Sequence, residues 1–365
     1  MKTQLFFLTI LSAVAFGVYG QEPAVTIGLK VQQKSAVLGE DYSILISLPR
    51  NYDQQGNANK YPVLYLLDGS GYMAFVSEAV KILSAKNGNG VSGMPECIVV
   101  GLTTNNRERD FTPAPAKGWS PPSGPPGSDV SKITWGGADK YLEHIEKEVA
   151  QYVESNYRTQ PYRIIVGHSL GGLLSYHALA TKPQFFQTYI IGDPSVWWND
   201  GATLRSVISY LKDHPAYKAN MILFKPPVPR PAWFPVNIEF EDFITSSSKP
   251  QQFLWKRIEL DNETHSTMVF PGVYLGLRDA FKSYRYQFHK DANVEEARQH
   301  YDSLSKAYGF PIKLSEEIFD ALRGHWEFQD KDALALATCK EWLKDYPDSP
   351  KAQKALEDLS KKKGK

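Results

Sequence analysis

Cysteine is scarce in this chain. Only Cys97 and Cys339 occur among 365 residues. Two cysteines exclude a disulfide-dense scaffold, and they lack the paired spacing of a zinc site. We expect both to remain unpaired. An excess of charge is missing too, because 41 Lys and Arg against 40 Asp and Glu leave a net +1. That balance argues against nucleic acid or an anionic surface as a partner. Long apolar runs are also few. The one sustained run, Leu5 to Val18, is shorter than the about 20 residues a membrane-spanning helix needs. With Lys2 before it and Val18-Tyr19-Gly20 after it, residues 1–20 read as a secretory signal peptide cleaved before Gln21. No cysteine follows to carry a lipid anchor. The expected location is therefore secreted or periplasmic.

What is present is ordinary for a globular protein: 42% hydrophobic and 22% charged residues. Aromatic content is high at 13%. Strand patterns cover 25–31, 41–49, 61–67, 97–102, 163–166, 186–192, 221–224 and 253–260. Helical patterns lie between them at 74–85, 138–157, 173–180, 204–212 and 274–284. Strands alternating with helices imply a mostly parallel sheet covered on both faces. The first two strands have no helix between them and suggest an antiparallel edge. Residues 113–127 form a loop rich in Pro, Gly and Ser. Beyond residue 290 the chain is charged and strand-free, with helices expected at 293–308, 315–326, 330–345 and 349–361. We divide it into a catalytic-type α/β unit at 21–289 and a helical, repeat-like extension at 290–365. One hairpin is too short for a free-standing solenoid, so the extension should pack on the α/β unit and offers a surface for protein contact.

The most informative stretch is Gly167-His168-Ser169-Leu170-Gly171-Gly172. It reads G-x-S-x-G between a β-branched run and a helical one, the context of a nucleophile elbow. Ser169 is the expected nucleophile. A hydroxyl needs a base, and in a fold of this kind the histidine follows the serine in the chain. His168 and His177 are too close to Ser169. His214, His289, His300 and His325 lie in a polar turn or in the C-terminal helices. His265 instead follows the apolar strand 253–260 in the loop Asp261-Asn262-Glu263-Thr264-His265-Ser266, and is the expected base. An oxyanion would rest on the Leu170 N–H and on the Ser70 N–H of the turn Asp68-Gly69-Ser70-Gly71.

These segments, with Arg109-Asp110-Phe111-Thr112-Pro113 and Asp193-Pro194-Ser195-Val196-Trp197-Trp198, occur in one order across residues 25–285. In that combination the chain resembles the esterase family of α/β-hydrolases. The family includes esterase D-like carboxylesterases, enterochelin-type siderophore esterases, feruloyl esterases and mycolyltransferases. The resemblance implies an α/β-hydrolase fold, the roles just given, and no metal or organic cofactor. It also implies a small-molecule ester substrate, with Arg109, Asp110, Trp197 and Trp198 near the cleft. The alternative for these four is structural: the Arg109–Asp110 pair pins a loop and the tryptophans pack.

The chain departs from the family at the acid. Where many members carry a carboxylate after the strand at 221–224, this one has Lys225-Pro226-Pro227-Val228-Pro229-Arg230-Pro231. Asp193, after the neighbouring strand, is the first candidate. Glu239, Glu241 and Asp242 on the following helix come next, then Asp261 and Glu263. The expected activity is hydrolysis of small or medium acyl esters through an acyl-enzyme. Related acyl chemistry, or a non-catalytic binding protein on the same fold, are the alternatives.

Overall fold

In a computed structural model of the protein, residues 26–121, 129–227 and 235–362 are described. The signal-peptide reading of residues 1–20 lies outside them, as do residues 122–127 of the Pro/Gly-rich loop. Eight strands form one sheet: β1 (Leu29–Lys34), β2 (Asp41–Ser47), β3 (Tyr61–Leu66), β4 (Ile98–Leu102), β5 (Thr159–His168), β6 (Thr188–Gly192), β7 (Ala219–Lys225) and β8 (Phe253–Glu259). Their order is β1-β2-β4-β3-β5-β6-β7-β8. The pairs β1–β2 and β2–β4 are antiparallel, and every later pair is parallel. The antiparallel edge follows from the absence of a crossover helix between the first strands.

The helices are α1 (Gly69–Leu83), α2 (Arg107–Phe111), α3 (Ala138–His144), α4 (Ala150–Asn156), α5 (Leu170–Thr181), α6 (Ala202–Asp213), α7 (Pro235–Thr245), α8 (Val269–Ala280), α9 (Val294–Tyr308), α10 (Glu316–Phe328), α11 (Asp332–Asp345) and α12 (Pro350–Lys362). A π turn, Ile145–Val149, joins α3 to α4, so the helix expected at 138–157 is continuous but not uniform. Helix α1 starts five residues before its apolar pattern becomes clear. Its first residues, Gly69-Ser70-Gly71, carry no side chain that could show a period.

Alternation along the central strands builds two cores. Val63, Tyr65, Ile98, Val100 and Ile165 face one way, with α3 to α6. Leu64, Leu66, Val99, Ile164 and Val166 face the other, against Met73, Val76 and Val80 of α1 and Val273 and Leu277 of α8. Burying both faces explains why these strands are apolar throughout rather than alternating.

The C-terminal helices form their own clusters, around Phe319, Leu322 and Trp342 and around Trp326, Cys339 and Leu359. They close on the α/β unit through Tyr308 and Phe310, whose rings meet Tyr162 at 5.3 and 5.9 Å. A Lys86–Glu317 ion pair of 2.9 Å adds a second tie. Both cysteines are buried free thiols. No helix among the described residues is long and apolar enough to cross a membrane.

Candidate active site

The carboxyl ends of β3, β5, β6 and β8 meet at one edge of the sheet. At β5 the chain turns sharply into α5, and Ser169 takes φ 59°, ψ −118°. L-residues seldom hold such a conformation, and here the packing of β5 against α5 enforces it. Gly167 is required for that packing. A Cβ there would run into the Gly171 carbonyl. The turn leaves Leu170 as the first residue of α5, so its N–H has no helical acceptor and faces the end where negative charge is stabilised.

The end of β3 supplies a second turn. Asp68 sits in the left-handed region at φ 56° and starts α1, with Ser70 exposed in the first turn. Gly69 has no room for a side chain, since a Cβ would approach the Gly101 main chain at 2.5 Å. Two helix N-termini, those of α1 and α5, are thereby placed side by side.

Arg107 links them. Its guanidinium grips Asp68 at 2.6 and 2.9 Å, and one nitrogen also donates to the His168 carbonyl at 3.2 Å. Burial would lower its pKa, but the Asp68 hydrogen bonds and charge outweigh that and hold it fully cationic. Sequence reading passed over Arg107 in favour of its neighbour Arg109. The structure places Arg107, not Arg109, against Asp68. Arg109 turns away to Glu40 at 2.5 Å and to buried Asp110 at 2.6 Å, pinning the loop to the start of β2. On the helix α2, residues two apart face opposite directions, so only one of the two arginines can reach the site.

The tryptophans also divide. Trp198 is fully buried, donates its indole N–H to the Pro113 carbonyl at 3.1 Å and packs on Trp119 and Trp135. It braces the loop. Trp197 is half-buried against the same core.

Asp193 directly follows β6 at φ 30°, another left-handed position, and its N–H is anchored on the Phe224 carbonyl at 2.8 Å. Its carboxylate lies 2.6 Å from His265 Nδ1. A carboxylate only accepts, so the proton resides on Nδ1 and the Nε2 lone pair is free to act as a base. The other candidate acids are elsewhere. Glu241 pairs with Arg257 on β8, and Asp261 is exposed. Glu239 and Asp242 lie on α7, and Glu263 is part of the His265 loop. At the end of β7 stands Lys225. Burial pulls its ammonium below the usual range, and attraction to Asp193 works against that pull. The acid is thus found on β6, one strand from the β7 end where Lys225 stands.

Two further residues belong to this edge and went unassigned in the sequence. Ser195 is buried, donates its N–H to the Ser169 carbonyl at 3.1 Å, and has its hydroxyl 3.4 Å from the Ser169 hydroxyl. His168 is buried with its ring 4.5 Å from that of His265. Burial and the neighbouring His265 bring its pKa down to about 4, so it is neutral at pH 7. The signal for both was adjacency: Ser195 lies two residues past Asp193, and His168 directly precedes Ser169. Among the described residues no group of three His, Cys, Asp or Glu side chains could hold a metal ion.

A family model described as "Putative esterase" matches residues 35–226. The ferri-bacillibactin esterase BesA of Bacillus subtilis is 35% identical over 166 residues, which is 43% of this chain and 55% of that protein. The siderophore triacetylfusarinine C esterase of Aspergillus fumigatus is 30% identical over 180 residues, 48% of this chain and 58% of that one. The chain therefore spans little more than half the length of these curated relatives. Among solved structures, an IroE-like serine hydrolase from Shewanella oneidensis superposes with a TM-score of 0.69 at 26% identity, covering 91% of this chain and 98% of the other.

Proposed function

The chain belongs to the Putative esterase family of α/β-hydrolases, and from that premise we propose that it is an exported serine carboxylic ester hydrolase whose substrates include siderophore-type esters. The observation that carries the reading is the 2.6 Å contact of His265 Nδ1 with Asp193, at the edge where Ser169 holds its strained turn. Two of the curated relatives are siderophore esterases, which supports the substrate class.

In this reading His265 Nε2 takes the Ser169 proton as the hydroxyl oxygen attacks the ester carbonyl. Asp193 stabilises the imidazolium that forms. The tetrahedral oxyanion rests between the α5 and α1 N-termini, on the Leu170 and Ser70 N–H groups. Arg107 fixes the spacing of those two turns and adds positive charge behind them. His265 then gives its proton to the leaving alcohol, and water, activated by the same histidine, releases the acid from Ser169. His168 stays neutral throughout and so does not repel the transient imidazolium.

The test is hydrolysis of p-nitrophenyl acetate and of a ferric trilactone siderophore by wild type and by Ser169→Ala. Wild type should cleave both, and Ser169→Ala should lose about 10³-fold or more in kcat. Equal turnover by the two proteins rules out the Ser169 assignment. Cleavage of the acetate without the trilactone removes the siderophore reading alone.

A further inference from the structure

The turn after β6 reaches both partners of the Ser169–His265 proton transfer. Asp193 meets His265 Nδ1 at 2.6 Å. Two residues on, Ser195 donates its N–H to the Ser169 carbonyl at 3.1 Å and brings its hydroxyl 3.4 Å from the Ser169 hydroxyl. Pro194 stands between them with its φ fixed by the ring, so the two side chains keep a set relation. The turn is itself held fast. The Trp198 N–H donates to the Ser195 carbonyl at 3.1 Å, and Trp198 is fully buried. Gly172 of α5 lies so close that a Cβ there would come within 3.0 Å of Pro194 Cα.

Main-chain bonds already fix the Ser169 backbone. Its N–H donates to the Gly192 carbonyl at 2.9 Å, and its carbonyl accepts from the Leu173 N–H at 3.0 Å as well as from Ser195. What they leave open is χ1, with three staggered positions for Oγ. A buried hydroxyl beside Oγ favours one of them. Ser195 is 6% exposed, so water competes little for that contact. Either hydroxyl can be the donor at rest. Once Ser169 gives its proton to His265, its oxygen can only accept, and Ser195 must donate. The bond is then charge-assisted, and it should shorten from 3.4 Å toward about 2.5–2.7 Å as negative charge gathers on Oγ.

We propose that Ser195 is a positioning residue for the nucleophile, its hydroxyl holding Ser169 Oγ within reach of His265 Nε2 and donating to that oxygen as its proton leaves. The inference rests on the esterase reading of Ser169 and deepens it. Ser195 keeps its own proton throughout, and the bonds that form and break are those at Ser169. A single turn then orients the base through Asp193 and the nucleophile through Ser195.

The experiment removes the hydroxyl alone. Ser195→Ala keeps the main-chain bond to Ser169, and Ser195→Thr retains a hydroxyl. The readouts are kcat/KM on p-nitrophenyl acetate, thermal melting, and the rate at which a fluorophosphonate probe phosphonylates Ser169 with loss of fluoride. In Ser195→Ala, kcat/KM and the labelling rate should fall together by about 3- to 10-fold. The melting temperature should stay within about 2 °C of wild type. Ser195→Thr should recover most of both rates. Ser206→Ala, which removes an α6 hydroxyl bonded to the Ala202 carbonyl, should change neither. Unchanged rates in Ser195→Ala, or a lowered melting temperature without slower labelling, overturn the proposal. The probe also separates the two possible failures. If wild type and Ser195→Ala are labelled equally fast, the Ser195 role alone is lost. If wild type is not labelled at all, the esterase reading falls and this role with it.

Discussion

The carboxyl edge of the sheet and the C-terminal helices obey different local rules. At the edge, Asp68, Ser169, Asp193 and Asn262 all hold positive φ, and each follows a strand of the sheet. In the helical extension Asp330 is the one non-glycine residue of that kind among those described. There the chain keeps to simple grammar. Asn293 caps α9 by accepting from the Glu296 N–H at 3.0 Å, and Gly309 ends that helix in the left-handed region. Strain concentrated at one edge and sparse in a neighbouring bundle marks where packing has been set to hold reactive geometry.

Substitutions at the two regions should therefore diverge. The largest expected effect is on turnover. Asp193→Asn should lower kcat by about 10²- to 10⁴-fold, because the amide no longer selects the productive His265 tautomer. Glu241→Gln should change it by less than about threefold, as its carboxylate is engaged with Arg257. Steady-state kinetics on p-nitrophenyl acetate separates them, and the reverse ranking would move the acid to α7.

Next in size is a pair of glycine replacements. Gly167→Ala forces a Cβ into the Gly171 carbonyl and should cost about 3 kcal/mol or more, or prevent soluble folding. Gly324→Ala on α10 meets nothing within 4 Å. It should stabilise by up to about 1 kcal/mol from helix propensity. Urea denaturation of both variants checks the contrast, and similar midpoints would erase it.

The smaller expected effect concerns pH. His168 is depressed from 6.5 to about 4 in the folded chain. Between those values the unfolded chain binds the extra proton. The stabilisation from neutral His168 is therefore complete above pH 6.5 and lost as pH falls toward 4, to the extent of about 2–3 kcal/mol. His168→Phe keeps a ring against His265 and should flatten that slope. Urea midpoints at pH 7 and pH 4.5 measure it, and identical slopes in the two proteins would show that His168 is not the group involved.

Much of this was legible in one sequence. The buried strands announced themselves as apolar runs, and the elbow as glycines around Ser169, whereas β1 at Leu29–Lys34 starts four residues later than the pattern at 25–31 suggested. Those are local signals, carried by residues within one turn or one strand. The helix start at Gly69 was not legible, because Gly-Ser-Gly has no apolar period. Arg107 and Arg109 were indistinguishable as neighbours in a charged pentapeptide. Which of them reaches Asp68 depends on the direction in which a five-residue helix happens to point. Trp197 and Trp198 likewise looked alike until the loop carrying Trp119 closed over one of them.

The sequence by itself determined the alternation of strands and helices, the strained serine, and a histidine after the last strand. These depend on period, turn chemistry and chain order. Only the tertiary structure decided which carboxylate meets that histidine. Asp193 and His265 are 72 residues apart in the chain and come within 2.6 Å only because β6 and β8 end at the same edge. A short polar residue at a turn carries no sequence trace of the partner that the sheet brings to it.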